Sequence, residues 1–242
     1  MPRQSRGPAP SILLTRPLLY GQRFAEQLRV RFGPRIHVVQ SPLLVPRFLN
    51  PLLPEGRFDG VVFTSETAVN ALRQVRAGPI GAAWCVGDRT AEAARAAGYQ
   101  TVSAGGNADD LLKALLNSGK GGRWLYVRGR DVSGDLAASM NRAGIETISL
   151  TVYAQDPVPL TLAACQLLAD EAPVVVPVFS SRTGELMSAQ TAVKARRAAL
   201  WVGALSQAVA LAMAPVRAER VVVSERPDAS SMMDALAEWI AT

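Results

Sequence analysis

The chain has 242 residues, of which 49% are hydrophobic, 19% charged and 6% aromatic. That balance excludes wholesale disorder, and the length allows one large α/β domain or two of modest size. The formal net charge is +6, from 26 Lys+Arg against 20 Asp+Glu, but the charges are spread along the chain. No run forms a basic arm or a nucleic-acid stripe, so the bias suits a polyanionic small molecule rather than nucleic acid.

Short β-branched runs alternate with helical patterns. Ile12-Leu13-Leu14-Thr15 reads as a strand that Arg16-Pro17 stops. Phe24, Leu28 and Phe32 then recur at helical spacing, and Gly33-Pro34 ends that helix. Ile36 to Val45 is a longer extended run. Gly60-Val61-Val62-Phe63 is the next strand, with Thr64-Ser65 as a cap and Ala68 to Val75 as a helix. Ala82 to Val86 is a strand ending at Gly87, and Thr90 to Ala97 a helix closed by Gly98. Thr101-Val102 leads through a Gly105-Gly106-Asn107 turn into a helix from Ala108 to Leu116. Arg123 to Val127 is a strand, and Gly134 to Arg142 a helix ended by Gly144. Such alternation with short loops predicts parallel sheets flanked by helices.

The second half repeats the first. Val62-Phe63-Thr64-Ser65 is matched by Val178-Phe179-Ser180-Ser181, and Trp84-Cys85-Val86-Gly87 by Leu200-Trp201-Val202-Gly203, both at an offset of 116 residues. Val102-Ser103 resembles Val223-Ser224, and Ile12 to Arg16 more loosely resembles Leu125 to Arg128. Two long extended segments bracket the middle block. The expected organisation is a discontinuous outer α/β lobe (1–38 plus 157–242) and an inserted middle α/β lobe (57–144). Connecting strands at 39–56 and 145–156 would form a two-stranded β-ladder between the lobes, with a cleft between them.

Few residues offer conventional catalysis. Cys85 and Cys165 lie in apolar stretches and read as buried free thiols. His37 is the one histidine, so a structural zinc site, which takes about four Cys/His ligands, has too few donors. A Ser–His–Asp triad would depend on His37, which sits in a strand-like stretch without a nucleophile elbow. No Walker-type phosphate loop or dinucleotide fingerprint occurs. Asp109-Asp110 reads as helix capping. Met1 to Pro10 reads as a tail rather than a signal peptide, and no apolar run approaches a membrane span. The expectation is a soluble cytoplasmic protein that is not membrane-bound and needs no partner subunit.

In parallel sheets ligands gather beyond the carboxyl ends of strands, where helix N-termini present free N–H groups. Thr64, Ser65, Ser180, Ser181, Thr90 and Ser206 fall at such places, as caps, first-turn residues or ligand contacts. Arg16 and Arg128 follow matching strands and suit carboxylate recognition. Tyr153 lies on the second connecting segment, where its phenol is either a proton donor or interdomain packing.

Together these residues resemble uroporphyrinogen-III synthase. The motifs are Thr15-Arg16-Pro17, Phe63-Thr64-Ser65 with Ala68-Val69, Val86-Gly87 with Thr90-Ala91, Arg128-Gly129, Val152-Tyr153, Phe179-Ser180-Ser181, and Val202-Gly203 with Ser206. They span nearly the whole chain in order. The resemblance implies two α/β lobes joined by a β-ladder and a cofactor-free enzyme. It implies a substrate, hydroxymethylbilane, that is a linear tetrapyrrole with many carboxylates, closed with loss of water and inversion of the terminal pyrrole. It implies that Tyr153 assists departure of the hydroxyl, that Thr90 is a cleft threonine of the middle lobe, and that Ser180 and Ser181 face the substrate. Ser206 stands where the family often has threonine. A two-lobed binding or sensor protein that closes on an anionic ligand without chemistry is the alternative reading.

Overall fold

The computed structural model describes residues 10–34, 36–75, 78–131 and 134–240. The basic tail, apart from Pro10, lies outside the described residues. The chain forms two compact units, one from the described residues up to Val45 and from Pro157 onward, the other from Pro46–Asp156.

The first unit opens with β1 (Ser11–Leu14), α1 (Leu18–Phe32) and β2 (Val38–Gln40). Helix α1 begins after Pro17, whose fixed φ cannot extend the strand, and buries Phe24, Ala25 and Leu28 on one stripe. The extended run from Ile36 divides in two, because a second strand, β3 (Leu44–Phe48), belongs to the other sheet.

The second unit continues with β4 (Gly60–Phe63), α2 (Glu66–Val75), β5 (Ala82–Cys85), α3 (Asp88–Ala96) and β6 (Thr101–Ser103). It closes with α4 (Ala108–Asn117), β7 (Arg123–Gly129), α5 (Leu136–Arg142) and the long β8 (Glu146–Pro157). Helix α4 is set by a capping box: the Asn107 side chain accepts from the N–H groups of Asp109 and Asp110, and the Asp110 carboxylate accepts from the Asn107 N–H. Asp110 thus does cap, with Asn107 as its partner.

The chain then returns to the first unit through α6 (Leu162–Ala169), β9 (Val174–Val178), α7 (Ser181–Ala189), α8 (Thr191–Lys194) and β10 (Leu200–Ala204). It ends with α9 (Gln207–Met213), a short 3-10 turn, β11 (Arg220–Val223) and α10 (Ala229–Ile240).

The strand orders are β11-β10-β9-β1-β2 and β3-β8-β7-β4-β5-β6. With β3 set aside, they are the same sheet built twice: β9 corresponds to β4, β10 to β5, β11 to β6, β1 to β7 and β2 to β8. These neighbours run parallel. Both faces of each sheet are covered, which is why β4 and β9 are buried at every position. In the first unit, Leu13, Val176 and Val202 pack with α6, α7 and α9, while Ile12, Leu14 and Val175 pack with α1 and α10. In the second, Val61, Phe63 and Leu125 pack with α2 and α3, while Val62, Trp124 and Tyr126 pack with α4 and α5. One difference is local: Pro177 in β9 has no N–H to donate, and the pairing of β9 with β1 ends at Val175.

The structure corrects the register of the repeat. Ser65 accepts a hydrogen bond from the Ala68 N–H, and Ser180 one from the Thr183 N–H, so the equivalent caps are 115 residues apart. Phe63 pairs with Cys85 and Val178 with Ala204, which sets the next strands 119 residues apart. The common offset of 116 read from the sequence slides by one at the first element and by three at the second. Gly87, which precedes α3, therefore corresponds to Ser206, which caps α9, and not to Gly203. Gly203 lies inside β10, where a Cβ would meet Leu236 Cδ2 at 2.7 Å. Paired small residues, Thr64-Ser65 and Ser180-Ser181, look alike at either register. What decides is which hydroxyl reaches the N–H three residues on.

Candidate active site

At the carboxyl end of β4 the chain turns through Thr64 and Ser65 into α2. Ser65 Oγ accepts from the Ala68 N–H at 3.2 Å and also lies 3.2 Å from the Tyr153 hydroxyl. Thr64 Oγ1 lies 3.5 Å from the Tyr126 hydroxyl, at the outer limit of a hydrogen bond. Tyr126 comes from β7 and Tyr153 from β8. The two phenols belong to opposite faces of the sheet, and both reach its carboxyl edge. Tyr153 is 9% exposed and Tyr126 4%.

Tyr153 has space because of Gly129. The pairing of β7 and β8 breaks between Arg128 and Gly129, so that Gly129 faces Tyr153. A Cβ on Gly129 would lie 2.6 Å from Tyr153 Cζ and 2.9 Å from its oxygen. The Tyr153 carbonyl accepts from the Arg130 N–H at 2.8 Å, which fixes the backbone at this point.

Burial raises the Tyr153 phenol above its ordinary value of 10.0. The Ser65 hydrogen bond pulls the other way, and the Asp131 carboxylate adds to the rise. The phenol is therefore protonated at neutral pH and can donate. Because the Ser65 oxygen already accepts from a backbone N–H, its own proton is free to point at the Tyr153 oxygen. That orientation leaves the Tyr153 O–H free for a ligand and eases loss of its proton.

In the first unit the corresponding edge is equipped differently. The Arg16 guanidinium lies 3.7 Å above the Phe179 ring, with Tyr20 and Phe24 at 5.8 and 5.9 Å. Phe24 meets Phe179 edge-on at 5.0 Å, so the arginine rests on a fixed aromatic wall. Ser180 caps α7 and also contacts Thr183 Oγ1 at 2.9 Å, and Ser181 is the first residue of that helix. Ser206 caps α9, accepting from the Val209 N–H.

Ser65 and Tyr153 are thus joined directly, Thr64 contacts Tyr126 instead, and Arg16 is tied to the α7 start through Phe179. Thr90 is buried in the first turn of α3, three residues past Gly87, and is not the counterpart of Ser206. Arg128 is half-buried, and its Nε is buried without a hydrogen-bond partner. Sequence reasoning missed Tyr126. Alternation in Trp124-Leu125-Tyr126-Val127 places it on a core face beside Trp124, and only its nearness to the strand end hints that the hydroxyl emerges. His37 Nδ1 pairs with Ser11 Oγ at 2.8 Å at the amino end of β1, away from the carboxyl edge of its sheet. Cys85 is buried, and desolvation pushes its thiol up to about 12, while Cys165 is half-buried. Among the described residues no helix is long and apolar enough to cross a membrane.

The chain is thus an α/β protein of two parallel-sheet units built on one strand order, each with hydroxyl side chains where its strands turn into helices. Residues 25–234 match the family model of uroporphyrinogen-III synthase HemD, and the chain belongs to that family. No curated protein sequence matches it. The fold is shared with the uroporphyrinogen-III synthetase of Helicobacter pylori, at a TM-score of 0.62 and 14% identity over 95% of this chain and 99% of that one. It is also similar to a mutant uroporphyrinogen III synthase from Thermus thermophilus, at a TM-score of 0.51 and 16% identity over 96% and 98% of the two chains. The family's reaction is the cyclisation of hydroxymethylbilane in tetrapyrrole biosynthesis, the work of a cyclising lyase.

Proposed function

We propose that this chain closes hydroxymethylbilane to uroporphyrinogen III with Tyr153 as the proton donor. The observation that carries the reading is the Ser65–Tyr153 contact at 3.2 Å, which backs a buried, protonated phenol at a strand's carboxyl end. The Tyr153 O–H gives its proton to the hydroxymethyl oxygen, the C–O bond breaks, and water leaves. Electrons from the adjacent pyrrole nitrogen fill the vacancy, giving an azafulvenium cation paired with the Tyr153 phenolate. The azafulvenium carbon then bonds to the substituted α-carbon of the terminal pyrrole to give a spiro intermediate. The bond from that α-carbon to its original methylene breaks, leaving a second azafulvenium carbon, which bonds to the free α-carbon and so inverts the ring. The proton lost from that α-carbon as the pyrrole regains aromaticity returns to the Tyr153 oxygen. Ser65 donates to the Tyr153 oxygen while it carries charge.

The chemistry asks the protein for orientation and exclusion of water more than for strong acids or bases. Substrate carboxylates meet Arg16, Arg128 and the hydroxyls and N–H groups of Ser180 and Ser181. Helix α7 is the better carboxylate seat, because its first turn holds no acid, whereas Glu66 already occupies the first turn of α2. Thr64, Thr90 and Ser206 supply further hydroxyl contacts.

The test is a coupled assay with isomer analysis. Purified protein given freshly made hydroxymethylbilane should yield the type III ring. Formation of only the spontaneous type I ring, beside a working positive control, overturns the assignment. Thermal stabilisation by the tetrapyrrole without turnover would instead identify a binding protein.

A further inference from the structure

The phenol of Tyr126 is not something the scaffold requires. Strand register makes Tyr126 the counterpart of Leu14, which is fully buried at the same place in the first sheet and fills it with hydrocarbon alone. Thr64 likewise corresponds to Phe179. The second unit thus carries a hydroxyl pair where the first carries two apolar side chains. A buried phenol with no partner costs stability, yet this one has only a long contact, 3.5 Å, to Thr64 among the contacts described. Thr64 in turn is half-buried at the strand end, next in sequence to the serine that holds Tyr153.

We propose that Tyr126 is a positioning residue for the reaction: its phenol donates to Thr64 Oγ1, which turns the Thr64 hydroxyl proton outward to hold the reacting end of the substrate against Tyr153. This rests on the function proposed above. Tyr126 does not touch the reacting atoms and acts only through Thr64. The long distance leaves room for the contact to shorten when a ligand oxygen accepts from Thr64, because a hydroxyl that donates also accepts more strongly. Ser65 and Tyr153 hold the acid, while Thr64 and Tyr126 hold what the acid attacks. Consecutive residues of one turn therefore serve two phenols from two strands.

The experiment compares Tyr126→Phe, Thr64→Val and the double variant in the isomer-resolved assay, with thermal midpoints measured alongside. Tyr126→Phe deletes one oxygen and keeps the ring. It should lower kcat about fivefold, with KM changed by less than about twofold. Thr64→Val should do at least as much, and the double variant should be no slower than Thr64→Val, since one contact cannot be lost twice. Wild-type kcat in Tyr126→Phe overturns the proposal, with or without a lower thermal midpoint. A double variant slowed by the product of the two single effects also overturns it. If the unaltered protein forms no type III ring, the function itself is wrong and this inference falls with it; if the unaltered protein forms it and Tyr126→Phe matches it, only the inference fails.

Discussion

The two units share a strand order and differ in what stands at the carboxyl edge. In the second unit the equivalent positions carry Tyr126 and Thr64, and Tyr153 joins Ser65. In the first they carry Leu14 and Phe179, and Phe179 supports Arg16. The helix starts differ in the same sense. Acids sit in the first turns of α2, α3 and α4, as Glu66, Asp88 and Asp109-Asp110, but none in those of α7 or α9, while at α10 the Asp228 carboxylate just before the helix accepts from the Ser231 N–H. An acid in the first turn uses up the attraction that a helix start offers to an anion. Under the proposed function, the first copy holds carboxylates at Arg16 and the α7 start, and the second gives the proton while adding one carboxylate contact at Arg128. A duplicated fold keeps its apolar framework, which packing demands, and is free to diverge at the few residues beyond the strand ends.

Substitutions can break this contrast in graded steps. Tyr153→Phe removes the acid and should lower kcat about a hundredfold in steady-state turnover. Gly129→Ala should come next, lowering kcat more than about tenfold. Its Cβ would overlap the Tyr153 ring, and denaturation should show a stability loss of about 1–3 kcal/mol from overpacking. Arg16→Leu should raise KM about tenfold while leaving kcat nearly intact, as read from saturation curves. The pH dependence gives a milder test. Because burial raises the Tyr153 pKa, the donating form persists through neutral pH and past the ordinary value of 10.0. A pH–kcat profile should therefore show no loss attributable to this group until above that value, and a fall beginning well below it would contradict the assignment. The smallest effects sharpen the comparison most. Ser65→Ala and Ser180→Ala each delete a helix cap and should each cost about 1 kcal/mol by thermal melts. Only Ser65→Ala should also slow turnover, because only Ser65 touches a phenol.

Much of the fold was legible in the chain. Gly60-Val61-Val62-Phe63 is a continuous apolar run, and strands buried on both faces read that way. The doubling was visible too, because the strand–turn–helix junctions repeat as words. Its exact register was not, since two adjacent hydroxyl residues fit either frame until a backbone N–H selects one. Thr64 and Ser65 could be singled out by their place after a strand, and Tyr153 by its place on the second connecting segment. Their mutual contact spans 88 residues between Ser65 and Tyr153, and no local pattern encodes it. Tyr126 was hidden for a different reason: in a strand, an aromatic at a core-facing position is explained by packing alone. Arg16 was legible as a cation after a strand, but not the Phe179 ring that fixes it, which comes from a strand far along the chain.

The most direct measurement is both kinetic constants for Tyr153→Phe and Arg16→Leu, taken side by side with isomer analysis. The account predicts separate losses, with Tyr153→Phe losing kcat at nearly constant KM and Arg16→Leu losing affinity at nearly constant kcat. If Tyr153→Phe keeps the original kcat, or if the two substitutions depress kcat alike, the division between a proton-giving unit and a carboxylate-holding unit is wrong.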